Sequence, residues 1–194
     1  MPIFLLKPEP QMSDQRLGKR LGIGLLPNIL IDPTCGRYCL KSLLKYHYEV
    51  ATGVTPENVV LPKPDSQISD RVGYDPEKDF QHFDDLLEAP DDLPGSLQQY
   101  IDLLRNRGPI IVNGKGVGHA SSLVGHYILL IGGNTTTEEP LLYYKDPLRG
   151  DEVGRESYAS MYQKITWIAH AKADIATALT RLGLGFQVAN MAFQ

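Results

Sequence analysis

Three separated residues have the types that a nucleophilic acyl-transfer site requires. Cys35 stands in Asp32-Pro33-Thr34-Cys35-Gly36-Arg37-Tyr38-Cys39-Leu40, His126 opens Gly125-His126-Tyr127-Ile128-Leu129-Leu130-Ile131-Gly132, and Asp146 ends Tyr144-Lys145-Asp146-Pro147. A cysteine just after capping residues, in the first turn of an apolar helix, faces the positive end of the helix dipole, which favours thiolate over thiol. A histidine opening an apolar strand sits at the rim of a buried sheet, where the strand anchors its backbone and the ring can face a cleft. An aspartate closing the next strand, fixed by the following proline, can accept the second imidazole N–H and hold the tautomer that takes the thiol proton.

Other residues compete for these roles. Cys39 lies one turn deeper and reads as a small apolar filler. The Gly and Pro neighbours of Cys35 are expected to leave its thiol exposed. His119 follows the glycine-rich Asn113-Gly114-Lys115-Gly116-Val117-Gly118 stretch, which reads as a mobile connection, and a strand holds a base more firmly, so His126 is preferred. His47, His82 and His170 read as surface or core-edge residues. No Lys-Ser/Thr pair opens a helix after the glycine-rich stretch, so a phosphate-loop reading is weak. A C-x₃-C pair on one helix, even with His119 and His126, is poor zinc grammar.

The elements that must position these residues follow from periodicity. Cys39, Leu40, Leu43, Leu44 and His47 recur at helical spacing from Cys35, with Asp32 or Thr34 as N-cap and Pro33 near the start. Ser96-Leu97-Gln98-Gln99 has the form of a capping box, and the stripe Leu97, Tyr100, Ile101 and Leu104 stops at Gly108-Pro109. Short strands are expected at Ile110–Val112, Tyr127–Ile131, Leu141–Lys145 and Ile165–Ala169, with Gly132-Gly133-Asn134 and Gly150-Asp151 as turns. Ile175, Leu179 and Leu182 mark a further helix, and Leu184, Phe186 and Val188 alternate like a strand. Five prolines between Thr52 and Leu93 indicate loops and short helices, with Asp84, Asp85, Glu88, Asp91 and Asp92 a solvated acidic face. Helix first and antiparallel sheet second is an α+β plan.

The chain has 194 residues, 42% hydrophobic and 22% charged, enough for one well-buried domain. The organisation expected is a single domain over 1–194, with a loose leader (1–27) wrapping it, a helical lobe (28–108) and a sheet lobe (109–194). A net charge of −4 and a pI near 5.7 argue against nucleic acid as a partner. The two cysteines, four apart on one helix, are not in disulfide geometry. Ile3–Leu6 has no basic region before it and Lys7-Pro8 directly after, so neither a signal nor a transit peptide is expected, and no segment reaches the ~20 apolar residues of a membrane span. The expectation is a soluble protein.

These blocks, in this order, resemble the papain-like cysteine peptidases, in particular the bacterial branch with the peptidase domains of bacteriocin exporters and the papain-type effector proteases of plant pathogens. Cys35-Gly36-x-x-Cys39-Leu40 resembles that branch's Cys-Gly-x-x-small-Leu, Gly108-Pro109-Ile110-Ile111-Val112 its Gly-Pro-apolar strand, Gly125-His126-Tyr127-Ile128-Leu129-Leu130 its Gly-His-Tyr-apolar strand, and Asp146-Pro147 its Asp-Pro. The resemblance implies a papain-like α+β fold, with a central N-terminal helix on an antiparallel sheet, and a Cys35–His126–Asp146 triad that cleaves peptide bonds without a metal or organic cofactor. It also implies a protein or peptide substrate and a cytoplasmic product that acts as a delivered effector or interbacterial toxin, with a cognate inhibitor or immunity protein. Deamidases, amidases and acyl transferases share the triad, and a non-catalytic binding module shares the scaffold. The family's oxyanion-binding glutamine, six positions before the nucleophile, is replaced by Ile29. Asn28 is the nearest amide and the candidate donor, with Gln11 and Gln15 the other amides able to fold back.

Overall fold

A long helix precedes all but one short strand of the main sheet. The protein is described by a computed structural model covering residues 3–13, 35–59, 83–120, 125–181 and 186–187. After a two-residue strand β1 (Phe4–Leu5) comes helix α1 (Cys35–Thr52), in which Cys39, Leu40, Leu43 and Leu44 are all fully buried. Two short strands, β2 (Asn58–Val59) and β3 (Leu87–Glu88), precede helix α2 (Leu97–Arg107). The Ser96 hydroxyl caps α2 by accepting from Gln99 N–H at 3.3 Å, and Gly108, at a φ of 74°, closes it with its N–H on the Leu104 carbonyl.

The remaining elements are β4 (Ile110–Lys115), β5 (Gly125–Asn134), β6 (Leu141–Asp146), β7 (Gly150–Ser157), helix α3 (Tyr158–Tyr162), β8 (Ile165–Ala171), helix α4 (Ile175–Arg181) and β9 (Phe186–Gln187). Among the described residues the main sheet has the order β3-β8-β4-β5-β6-β7, and every pairing is antiparallel. β1 joins β5 at Gly132 and Gly133, beyond the point where β4 begins opposite Leu130. β2 and β9 form a separate antiparallel pair. Both α1 and α2 pack on β4 and β5, so β5 is buried along nearly its whole length and reads as an unbroken apolar run rather than an alternation.

Four departures from the expected elements have local causes. Gly132 and Gly133 continue β5 instead of turning. A Cβ on Gly132 would collide with the Phe4 carbonyl, and one on Gly133 would crowd Ile101 and Leu97 at 3.1 Å, so both glycines serve close packing. β4 extends to Lys115, past the start of the presumed loop, because Gly114 lies against the Lys164 carbonyl with no room for a side chain. Gly150 and Asp151 begin β7, an edge strand whose charged residues conceal any apolar alternation. Helix α3 is short and was not anticipated.

The first residues are tied to the sheet. Leu6 and Met12 are buried, Leu6 N–H donates to the Ile131 carbonyl at 2.9 Å, and Met12 N–H donates to Asp151 Oδ1 at 2.6 Å. The Ser42 hydroxyl of α1 donates to the Gln11 carbonyl. Among the described residues no helix is long and apolar enough to cross a membrane.

Candidate active site

The pairing of β5 with β6 brings the histidine to the aspartate. Leu129 stands opposite Lys145, so Ile128 neighbours Asp146, and His126, two residues earlier, shares its face of the sheet. His126 and Asp146 are therefore diagonal neighbours, a spacing that long side chains bridge. The His126 Nε2–H donates to Asp146 Oδ1 at 2.8 Å, with His126 4% exposed and Asp146 1%. With Nε2 so engaged, Nδ1 is left for the Cys35 thiol, which is hydrogen-bonded to the same ring. Cys35 reaches the ring because α1, of which it is the first residue, packs on β5, of which His126 is the second. Cys35 is 7% exposed, so α1 buries it more than its Gly and Pro neighbours suggest.

Charge follows from these contacts. Burial alone would lower the His126 pKa, but hydrogen bonds with Asp146 and Cys35, and the negative charge of both, raise it from 6.5 to about 9. Burial also opposes ionisation of Asp146. The His126 hydrogen bond and charge, with the backbone N–H groups of Leu148 and His119, outweigh it and hold the carboxyl below its ordinary value of 3.8. Near neutral pH the ring is an imidazolium between a carboxylate and a sulfur. Cys39 is fully buried, and burial first, then the charges at Cys35 and Asp146, pushes its thiol well up. It stays protonated inside the helix.

Asp146 is held on both oxygens. Oδ1 accepts from His126 and from the Leu148 N–H at 2.8 Å, an Asx-type turn that the following proline favours. Oδ2 accepts from the His119 backbone N–H at 2.8 Å and from His119 Nδ1 at 3.0 Å. The sequence reading set His119 against His126 as rival bases, yet the fold places both on one carboxylate. The available signal was Gly118, whose φ of 60° fits the tight turn that delivers His119.

Asn28 and Gln15 lie outside the described residues. Gln11 is exposed and its carbonyl meets Ser42, seven residues along α1 from the thiol. His170 is buried, with Nδ1 on the Ala171 carbonyl, and His47 is half-buried, its Nε2 lacking a partner among the described residues. His82 lies outside the described residues. Among the described residues no group of three or more His, Cys, Asp or Glu side chains is arranged to hold a metal ion.

No curated protein matches the chain. A solved structure from work on antibody cross reactivity between the mite allergens Blo t 1 and Der p 1 superposes with a TM-score of 0.54 at 10% identity, covering 88% of this chain and 68% of the other, which is a likeness of fold. Residues 66–164, just over half of the chain, match the family described as papain-like cysteine protease AvrRpt2. That stretch contains His126 and Asp146 and begins after Cys35. The chain has the helix-on-antiparallel-sheet α+β fold of the papain-like enzymes and belongs to the papain-like cysteine protease family of AvrRpt2.

Proposed function

We propose that Cys35, His126 and Asp146 form the catalytic triad of this peptidase. The reading is supported by one buried imidazole hydrogen-bonded to the Cys35 thiol on one side and to Asp146, at 2.8 Å, on the other. In the resting pair the thiol proton already sits on His126 Nδ1, and Asp146 accepts from Nε2–H. The thiolate attacks a peptide carbonyl, and the Cys35 backbone N–H at the start of α1 donates to the developing oxyanion. His126 returns the proton to the leaving amine, and a thioester acyl-enzyme remains. Water, deprotonated by His126, attacks the thioester, and collapse releases the carboxylic acid and restores the thiolate–imidazolium pair. Asn28 is proposed as the second oxyanion donor.

The biological setting proposed is a delivered effector or interbacterial toxin met by a cognate inhibitor protein, on the strength of the resemblance to papain-type effector proteases. Protein or peptide chains are the substrate class.

The test is cleavage of an unfolded casein substrate, with intact-mass spectrometry of the enzyme under turnover. The wild type is expected to cleave and to carry an acyl adduct on Cys35, whereas Cys35→Ala and His126→Ala show neither. A Cys35→Ala protein that cleaves at the wild-type rate would exclude Cys35 as nucleophile.

A further inference from the structure

The site described above uses one oxygen of Asp146, and the other is not idle. A carboxylate offers about four acceptor positions on its two oxygens. Asp146 fills them with His126 Nε2 and Leu148 N–H on Oδ1, and with two groups of a single residue, His119 N–H and His119 Nδ1, on Oδ2. We propose that His119 is a positioning residue of the peptidase: it clamps Oδ2 of Asp146 from the far side, so that Oδ1 stays aimed at His126. This rests on the Cys35–His126–Asp146 reading.

The loop is shaped for the clamp. Gly118 sits at a φ of 60°, in the left-handed region, and a Cβ there would stand 2.5 Å from Asp146 Oδ2 and 2.8 Å from Ile128 Cγ2. Only a glycine lets the backbone come close enough to aim the next N–H at the carboxylate. The His119 ring is 37% exposed, yet it is held at 3.0 Å to Oδ2 beside the Tyr144 ring, with ring centres 6.2 Å apart. An ionised carboxylate only accepts, so Nδ1 carries the proton and donates. That contact is the same whether the ring is neutral or protonated. Without it, Oδ2 keeps only the His119 backbone N–H, and the carboxylate is freer to rotate about its terminal bond and turn Oδ1 away from Nε2.

The test uses the full chain and iodoacetamide as the probe, since alkylation of Cys35 reports the thiolate–imidazolium pair without a known substrate. Rates at Cys35 are read by peptide mass spectrometry from pH 5 to 10, with buried Cys39 as the internal control and circular dichroism confirming the fold. His119→Ala is expected to slow Cys35 labelling at pH 6 by about tenfold and to move its onset to higher pH. His119→Asn, which keeps a donor at the Nδ1 position, is expected to restore the wild-type rate and profile. His119→Gln, which carries its donor at the Nε2 position, is not. Folded His119→Ala or His119→Gln protein that labels like wild type overturns the positioning role, provided that His126→Ala is slow. Fast labelling in His126→Ala would instead remove the thiolate–imidazole pair itself.

Discussion

His126 and Asp146 shift their proton affinities in opposite directions, and the two shifts define a pH window. Asp146 is held below 3.8, so its contribution to stability is complete above that pH and is lost as the pH falls through its lower folded value. His126 is raised from 6.5 to about 9, so its contribution is complete below 6.5 and is lost as the pH rises through about 9. Thermal melts of wild type and Asp146→Asn are therefore expected to differ most between about pH 4 and pH 6.5, and to converge towards pH 9. A difference constant across that range would contradict the pairing. The place of His126 at the start of a strand was legible in the sequence, because the residues after it form an unbroken apolar run. The place of His119 was not. Its contact spans 27 residues and depends on where β6 ends, which no local pattern encodes.

At the scale of elements, the glycine turn before His119 acts as a rigid fitting. Gly118→Ala brings a Cβ against the Asp146 carboxylate in a left-handed conformation, and is expected to cost about 1–3 kcal/mol and to lower peptidase activity. Chemical denaturation and casein cleavage measure the two effects, and wild-type stability would show that the turn accommodates a side chain. Helices α1 and α2 were predictable because their apolar residues repeat at the helical period and Ser96 and Gly108 punctuate α2. Strand β7 was hidden because it lies at the sheet edge, where Asp151, Glu152 and Arg155 face water and little apolar alternation is needed. Gly132 and Gly133 misled for the opposite reason. They look like a turn, but buried backbone and helix α2 press so closely there that side chains are excluded.

Across the whole molecule, residues 3–13 join three parts of the site's framework. β1 extends the sheet beside β5, the Gln11 carbonyl takes the Ser42 hydroxyl of α1, and Glu9 pairs with Lys145 at 2.5 Å, next to Asp146 in the chain. Lys145 is 3% exposed and also donates to the Asp151 carbonyl, while Glu9 is 44% exposed. Glu9→Ala should therefore cost only about 1 kcal/mol, a fall of a few degrees in Tm, with Cys35 labelling unchanged. A large loss of labelling would mean that this ion pair helps to seat β6 and with it Asp146.

The sequence by itself determined the chemistry available and the order of its carriers: a cysteine heading a buried helix, a histidine opening an apolar strand, and an Asp-Pro after the next one. Those are local properties, set by periodicity, capping and turn residues within a few positions of each side chain. Tertiary structure decided how the carriers meet. The β5–β6 register sets His126 diagonal to Asp146, and the packing of α1 on β5 buries the thiol against the ring. The turn at Gly118 gives Asp146 a second histidine. Register and packing join residues far apart in the chain, so the raised imidazole and the saturated carboxylate exist only once the sheet has formed.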